Sequence, residues 1–176
     1  MFLDLFPTKI YLENVSNYDT IQSDLDEVEV GIDWENLWDT HYISDKTFTK
    51  TLVPDSLGYE IANHVMRYTG RDDFRLTASW MTRLEPGQYA VAHQHGHSDL
   101  SGVYYYKTNG DEGNLYFMNP ALAATTSIWS QAPNYHDIQP IQGSVVLFPG
   151  YLTHGIKTNT SPNTRISVSF NIVFQR

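Results

Sequence analysis

The sequence contains no cysteine, which excludes disulfides, thiolate metal sites and a cysteine nucleophile and leaves His, Asp and Glu as the strong metal ligands. Positive charge is also scarce: 11 Lys and Arg stand against 20 Asp and Glu, for a net charge of -9. That balance works against phosphate backbones and anionic membrane surfaces, so nucleic acid is not an expected partner. No run of about 18 apolar residues occurs, and the start "MFLDLFPTKIYLENV" lacks a basic segment followed by an apolar one. A soluble, cytoplasmic protein without a membrane span is expected. Internal repeats and low-complexity blocks are missing too, and 176 residues suit one domain with a real core better than two.

The chain changes character near residue 75. Before it, "FPTKIYLENV" reads as a strand and "SNYDTIQSDLDEV" as a short acidic helix with Ile21, Leu25 and Val28 on one face. The stretch "GIDWENLWDTHYISDKTFTK" has no clean period and reads as irregular with a short strand. "PDSLGYEIANHVMRYTG" is the clearest helix: Pro54 and Asp55 start it, Leu57, Ile61, Val65 and Tyr68 recur at helical spacing, and Gly70 stops it. His64 lies beside that stripe and reads as a packed or solvated histidine. After Arg75 come short β-rich runs separated by Gly, Pro and Asn, among them "RLTASWMTRL", "QYAVAHQH", "LSGVYYYK", "TSIWS", "GSVVLFPG" and "RISVSFNIVF". Eight or nine such strands over about 100 residues indicate a sandwich or barrel. The expected fold is mainly β, a jelly roll with one or two N-terminal helices outside. A single domain 1–176 is expected, with 1–74 as strand and helix support and 75–176 as the core.

The segment "VAHQHGHSDLSGVYYYK" carries the first chemical signal. If Gln88 to His95 is a strand, Tyr89, Val91, His93 and His95 share a face, and two imidazoles two residues apart can chelate one ion. Alone, His-X-His also fits an exposed polar loop. A second element strengthens it: in "GSVVLFPGYLTHGIKTNTSPNTRISVSF", Gly143 opens an apolar strand, Pro149 and Gly150 turn it, and His154 begins the next. In a rolled-up sheet His154 can return to the same mouth. Two or three ligands that leave coordination positions open form the arrangement a catalytic Fe(II) needs.

Arg165 begins a run in which Arg165, Ser167, Ser169 and Asn171 alternate with Ile166, Val168, Phe170 and Ile172. Facing outward, the polar set would be ordinary surface. Beside a histidine-built metal site, Arg-X-Ser supplies a planar two-pronged donor and a hydroxyl suited to a carboxylate. Tyr104 and Tyr106 share one strand face and Tyr105 the other. Trp80 and Trp129 read as core or cavity wall.

Four stretches together, "FPTKIY", "SWMTRLEPGQYAVAHQHGHSDLSGVYYYK", "GNLYFMNP" and "GSVVLFPGYLTHGIKTNTSPNTRISVSFNI", resemble the 2-oxoglutarate- and Fe(II)-dependent oxygenases found in marine bacteria and their phages. The resemblance spans most of the chain. It implies a double-stranded β-helix, Fe(II) as the metal, 2-oxoglutarate as co-substrate, and an O2-using dioxygenase that hydroxylates a small molecule or a protein side chain. By the same resemblance His93, His95 and His154 are the expected iron ligands, Arg165 and Ser167 hold the far carboxylate of 2-oxoglutarate, and Tyr104 or Tyr106 assists. The wider superfamily uses His-X-Asp or His-X-Glu with a distant His, whereas this sequence has His95 at the acidic position. Three ligand sets stay open: His93, His95 and His154; a set in which Asp99 supplies an oxygen; or a frame shifted to His95 and His97.

A cupin is the alternative. Five residues separate Gly87 from His93, with Asp99 beyond, and five separate Gly143 from Pro149, with His154 five positions later; both resemble cupin motifs. A cupin-type metal protein or enzyme would not use 2-oxoglutarate and would have no need of Arg165. A third possibility is a β-sandwich binding module in which the histidines form a polar rim and the aromatics, 14% of residues, stack a ligand.

Overall fold

Among the described residues the protein is built of eleven strands and two helices. The computed structural model describes residues 7–48, 52–121, 126 and 133–176. Strand β1 (Tyr11–Asn14) is followed by helix α1 (Tyr18–Val30), strands β2 (Glu35–Leu37) and β3 (His41–Ile43), and helix α2 (Asp55–Thr69). Strands β4 (Phe74–Leu84), β5 (Ala90–His93), β6 (Leu100–Lys107), β7 (Leu115–Met118), β8 (Tyr135–Ile138), β9 (Ser144–Pro149), β10 (His154–Ile156) and β11 (Arg165–Phe174) complete it. They form a seven-stranded sheet in the order β1-β9-β6-β11-β4-β3-β2 and a four-stranded sheet in the order β5-β10-β7-β8. The run "TSIWS", with Trp129, lies outside the described residues.

Both helices form where the apolar spacing and stop signals place them. Pro54 precedes α2, and Gly70 closes it in the left-handed region (φ 73°) with its N–H donated to the Met66 carbonyl. Ile21 and Leu25 of α1 and Leu57, Ile61 and Val65 of α2 are fully buried against one face of the larger sheet. That face presents Tyr104, Tyr106, Val145, Leu147, Ile166, Val168 and Phe170. Each large apolar side chain buried here contributes roughly 1.5–3 kcal/mol. Buried Glu60 and His64 of α2 tie this layer to β1: Ser16 donates to Glu60, and Tyr11 Oη lies 2.8 Å from His64 Nδ1.

The other face of the larger sheet meets the smaller one. Val103 and Tyr105 of β6, Val146 and Phe148 of β9, and Leu115 and Phe117 of β7 pack between the sheets. One end of this intersheet space is apolar core; the other stays open as a cavity.

Two expectations change. The stretch 31–50 holds two short strands, not one, and β1, β2 and β3 all join the seven-stranded sheet, so the first 74 residues build the sheet as well as support it. Strand β5 ends at His93, short of His95. There the chain turns, with Ser98 N donating to the His95 carbonyl. His95 stays docked because its N–H donates to the Gly150 carbonyl at 2.9 Å. Gly150 permits this approach, since a Cβ there would lie 2.2 Å from the Ser98 carbonyl oxygen. Among the described residues no helix is long and apolar enough to cross a membrane.

Candidate active site

Antiparallel pairing of β5 with β10 sets His93 opposite His154 in register, so their side chains share a face. Their ring centroids are 4.5 Å apart, and His95 stands 5.0 Å from His93 and 5.1 Å from His154. One ligating atom from each of the three lies within 4.8 Å of the others, the only such cluster of ligating groups among the described residues.

Local backbone fixes two of the three rings. His93 Nδ1–H donates to the Val91 carbonyl (2.8 Å) and His154 Nδ1–H to the Leu152 carbonyl (2.9 Å). A carbonyl can only accept, so each ring donates from Nδ1 and leaves Nε2 as the nitrogen available to a metal. His95 Nδ1 faces the Asn171 side-chain amide at 3.4 Å, and Asn171 in turn accepts from Ser101. Burial, reinforced by neighbouring His93, pushes His95 down to about 4 and His154 down to about 3. Both are neutral at physiological pH, as metal ligands must be. His154 is only 4% exposed and packs edge-on against Phe148.

From this cluster a cavity of about 410 Å³ runs between the sheets to Arg165. Arg165, at the start of β11, is 1% exposed, and among the described residues no carboxylate forms a salt bridge with it. Nη1 donates to the Gly113 carbonyl at 2.7 Å, while Nε and Nη2 are buried without a partner among those residues. The guanidinium lies 4.8 Å over the Tyr105 ring, and the Tyr105 hydroxyl is likewise buried and unpartnered. Desolvation pulls the Arg165 pKa down, opposed by nearby Tyr105 and by the fully buried Glu112. Glu112 is itself held by the Thr108 hydroxyl and by the amides of Asn109 and Gly110. A buried cation with spare donors is costly unless a ligand completes it. Ser167, Ser169 and Asn171 follow on the same cavity-facing side of β11.

Other sequence-derived candidates fall elsewhere. The Asp99 carboxylate accepts from the Phe174 amide at 2.8 Å and is not part of the histidine cluster. His97 lines the cavity outside that cluster. Tyr104 and Tyr106 are corrected: both belong to the helix-side core, with Tyr106 donating to Asp26, and it is Tyr105 that faces Arg165. All three tyrosines are fully buried, so no polar and apolar alternation along β6 reveals which face looks inward.

Sequence reasoning missed His41, Trp38 and Phe48. His41 is 6% exposed on β3, lines the cavity, and is pushed down to about 4 by burial and by His93. The only sequence signal for this group was the aromatic density of a stretch without a period. A wider groove of about 640 Å³ runs along β1, β7 and β8 and carries His136 and Asp137, but among the described residues no third ligating group joins them. The smaller cavity is the one that holds the histidine cluster.

A family model described as "Putative 2OG-Fe(II) oxygenase" matches residues 78–171, more than half of the chain. The chain belongs to this oxygenase family, whose metal is Fe(II) and whose co-substrate is 2-oxoglutarate. That membership favours the oxygenase over the cupin. No curated protein matches the sequence. Among solved structures, an oxidoreductase of the 2OG-Fe(II) oxygenase family from Burkholderia pseudomallei is 12% identical with a TM-score of 0.68, covering 93% of this chain and 83% of that one. A Pseudomonas putida prolyl-4-hydroxylase is 14% identical with a TM-score of 0.66, covering 96% and 94%. HygX from Streptomyces hygroscopicus, solved with nickel and 2-oxoglutarate bound, is 12% identical with a TM-score of 0.66, covering 94% and 82%. At such identities the likeness establishes the fold, a jelly roll. The residues fit the family's groups: neutral imidazoles suit a ferrous ion, and the unpartnered donors of Arg165 suit a carboxylate.

Proposed function

We propose that this protein, as one domain spanning residues 1–176, is a dioxygenase that hydroxylates a C–H bond of a small molecule or a protein side chain. Fe(II) with 2-oxoglutarate supplies the oxidation, one oxygen of O2 ending in succinate and the other in the hydroxylated product as CO2 leaves. His93, His95 and His154 would hold the metal, the first and last through Nε2. Asp99 stays outside this ligand set because its carboxylate is engaged by the Phe174 amide. Arg165, with Ser167 and in place of the other tyrosines Tyr105, would grip the distal carboxylate of 2-oxoglutarate. The polar row on β11 orients the co-substrate along the cavity, and Phe148, Leu115 and Val103 keep water from its inner wall. The net charge of -9 keeps nucleic acid out of the proposed substrates.

The observation that carries this reading is the buried Arg165 with two unused donors. Losing a buried charged partner costs on the order of 2–5 kcal/mol. Arg165→Ala should therefore weaken 2-oxoglutarate binding by at least roughly thirty-fold, with Mn(II) affinity nearly unchanged in anaerobic calorimetry. Succinate formation coupled to O2 uptake is the activity assay. A parent protein that binds the metal but never 2-oxoglutarate would remove the reading.

A further inference from the structure

The proposed reaction leaves the outer half of the cavity unexplained. Its wall runs as a relay of rings: Phe48 meets Trp80 edge-on at 4.9 Å, and Trp80 stands 5.7 Å from His95. Trp38, 65% exposed, lines the same cavity from the turn between β2 and β3. Among the described lining residues Arg165 is the sole Asp, Glu, Lys or Arg, and it is buried at the far end. The described residues of the outer half therefore offer rings and no basic side chain to pair with a carboxylate.

The backbone supplies a second, independent observation. Among the described residues the non-glycine positions with positive φ are Trp38 (53°), Asp39 (56°) and Phe48 (53°). Thr40 N donates to the Leu37 carbonyl, so Trp38 and Asp39 are the two central residues of a tight turn. Both have positive φ, a combination for which Asn-Gly is the usual choice. A bulky ring gains nothing for folding by sitting there with most of its surface in water. Strain of this kind persists where the side chain has a task.

We infer that Trp38, Phe48 and Trp80 form a stacking subsite for a flat aromatic ring that carries no carboxylate, which sets the substrate class. This inference rests on the proposed function, since the ring is held beside the histidine cluster. Stacking gives preferred geometries and affinity beyond the area buried, and with no basic side chain among the described residues of this half a carboxylated ring would leave its charge unpaired.

The test is a ligand-observed NMR titration of the full chain with benzamide and with cyclohexanecarboxamide, a similar-sized neutral probe lacking a π face. Benzamide should bind more tightly by about five-fold or more. Trp38→Gly and Phe48→Leu should each remove most of that preference, and Trp38→Gly should leave Tm equal to or above that of the parent, because glycine relieves the positive φ. Equal binding of the two probes, or a marked fall in Tm with unchanged binding, would overturn the subsite. With Mn(II) and 2-oxoglutarate added, Mn(II) should broaden the bound ring protons. If Mn(II) does not bind while benzamide still depends on Trp38, the oxygenase reading fails and the ring subsite stands. If both cofactors bind and the probes do not differ, the subsite alone fails. N-acetylphenylalaninamide tests the source of the ring. Binding tighter than benzamide assigns the ring to a protein side chain, and weaker binding to a small molecule, and either order supports stacking.

Discussion

Strand β11 has two faces with opposite demands. Toward the helices it sends Ile166, Val168, Phe170 and Ile172, every one buried among apolar neighbours. Toward the cavity it sends Arg165, Ser167, Ser169 and Asn171, of which Arg165 is as deeply buried as any core residue yet lacks partners for two donors. The first face is specified by volume and the second by chemistry. One strand thus spends stability on one side that it gains on the other, which is how a binding site departs from local consistency.

Four experiments probe that contrast, the largest effect first. His154→Ala removes a proposed ligand held inside the sheet pair, and Fe(II) or Mn(II) binding should fall below detection by anaerobic calorimetry while the fold persists in circular dichroism. Binding identical to the parent would place the metal elsewhere. Next, opposite substitutions on the two faces of β11 should have opposite signs in the ligand-free protein. Phe170→Ala opens a core cavity and should cost about 3–5 kcal/mol, a drop in Tm of roughly 10 °C. Arg165→Met exchanges a buried, partly unpaired cation for an apolar chain and should raise stability by about 1–4 kcal/mol, while abolishing the thermal stabilisation that 2-oxoglutarate gives the parent. A destabilised Arg165→Met would show that the guanidinium is satisfied without a ligand.

The third experiment is a pH series. Folded His41 and His95 titrate near 4 and His154 near 3, against 6.5 for an ordinary histidine. The unfolded chain therefore binds more protons at mildly acidic pH, so stability rises with pH across that interval. Metal-free protein should lose Tm steadily as pH falls from about 6.5 toward 4, and His41→Gln should flatten part of the slope. A Tm constant over that window would mean that the histidines are not buried neutral. The smallest effect belongs to Asp99→Asn, which should cost about 1 kcal/mol from the weakened bond to the Phe174 amide and leave metal affinity unchanged. A large loss of metal affinity would return Asp99 to the ligand set.

The same contrast explains what the sequence revealed. Period-2 alternation exposed the phase of β11, and Arg165 with Ser167 lies where that phase puts them. The helices were legible from apolar spacing and from Gly70. The phase of β6 was not, because a central strand buried on both faces has no polar side to mark, and it is Tyr105 that lies against Arg165. Trp38, His41 and Phe48 escaped notice since their strands are three residues long and their turns use left-handed backbone that tryptophan and phenylalanine do not announce. His95 reaches His93 through a turn pinned by Gly150, whereas alternation in the sequence runs it along a continuous strand.

His93 and His154 each anchor Nδ1 to the carbonyl two residues earlier. The Nδ1 bond that orients each ring thus lies within a tripeptide, Val91–His93 and Leu152–His154. Proposed reactivity and proposed recognition then meet at His95, which stands against Trp80 of the ring wall. Exchanging residues of the 36–48 segment should change which guest is accepted while His93 and His154 keep their local Nδ1 bonds, which makes this hairpin the place to retarget the proposed activity.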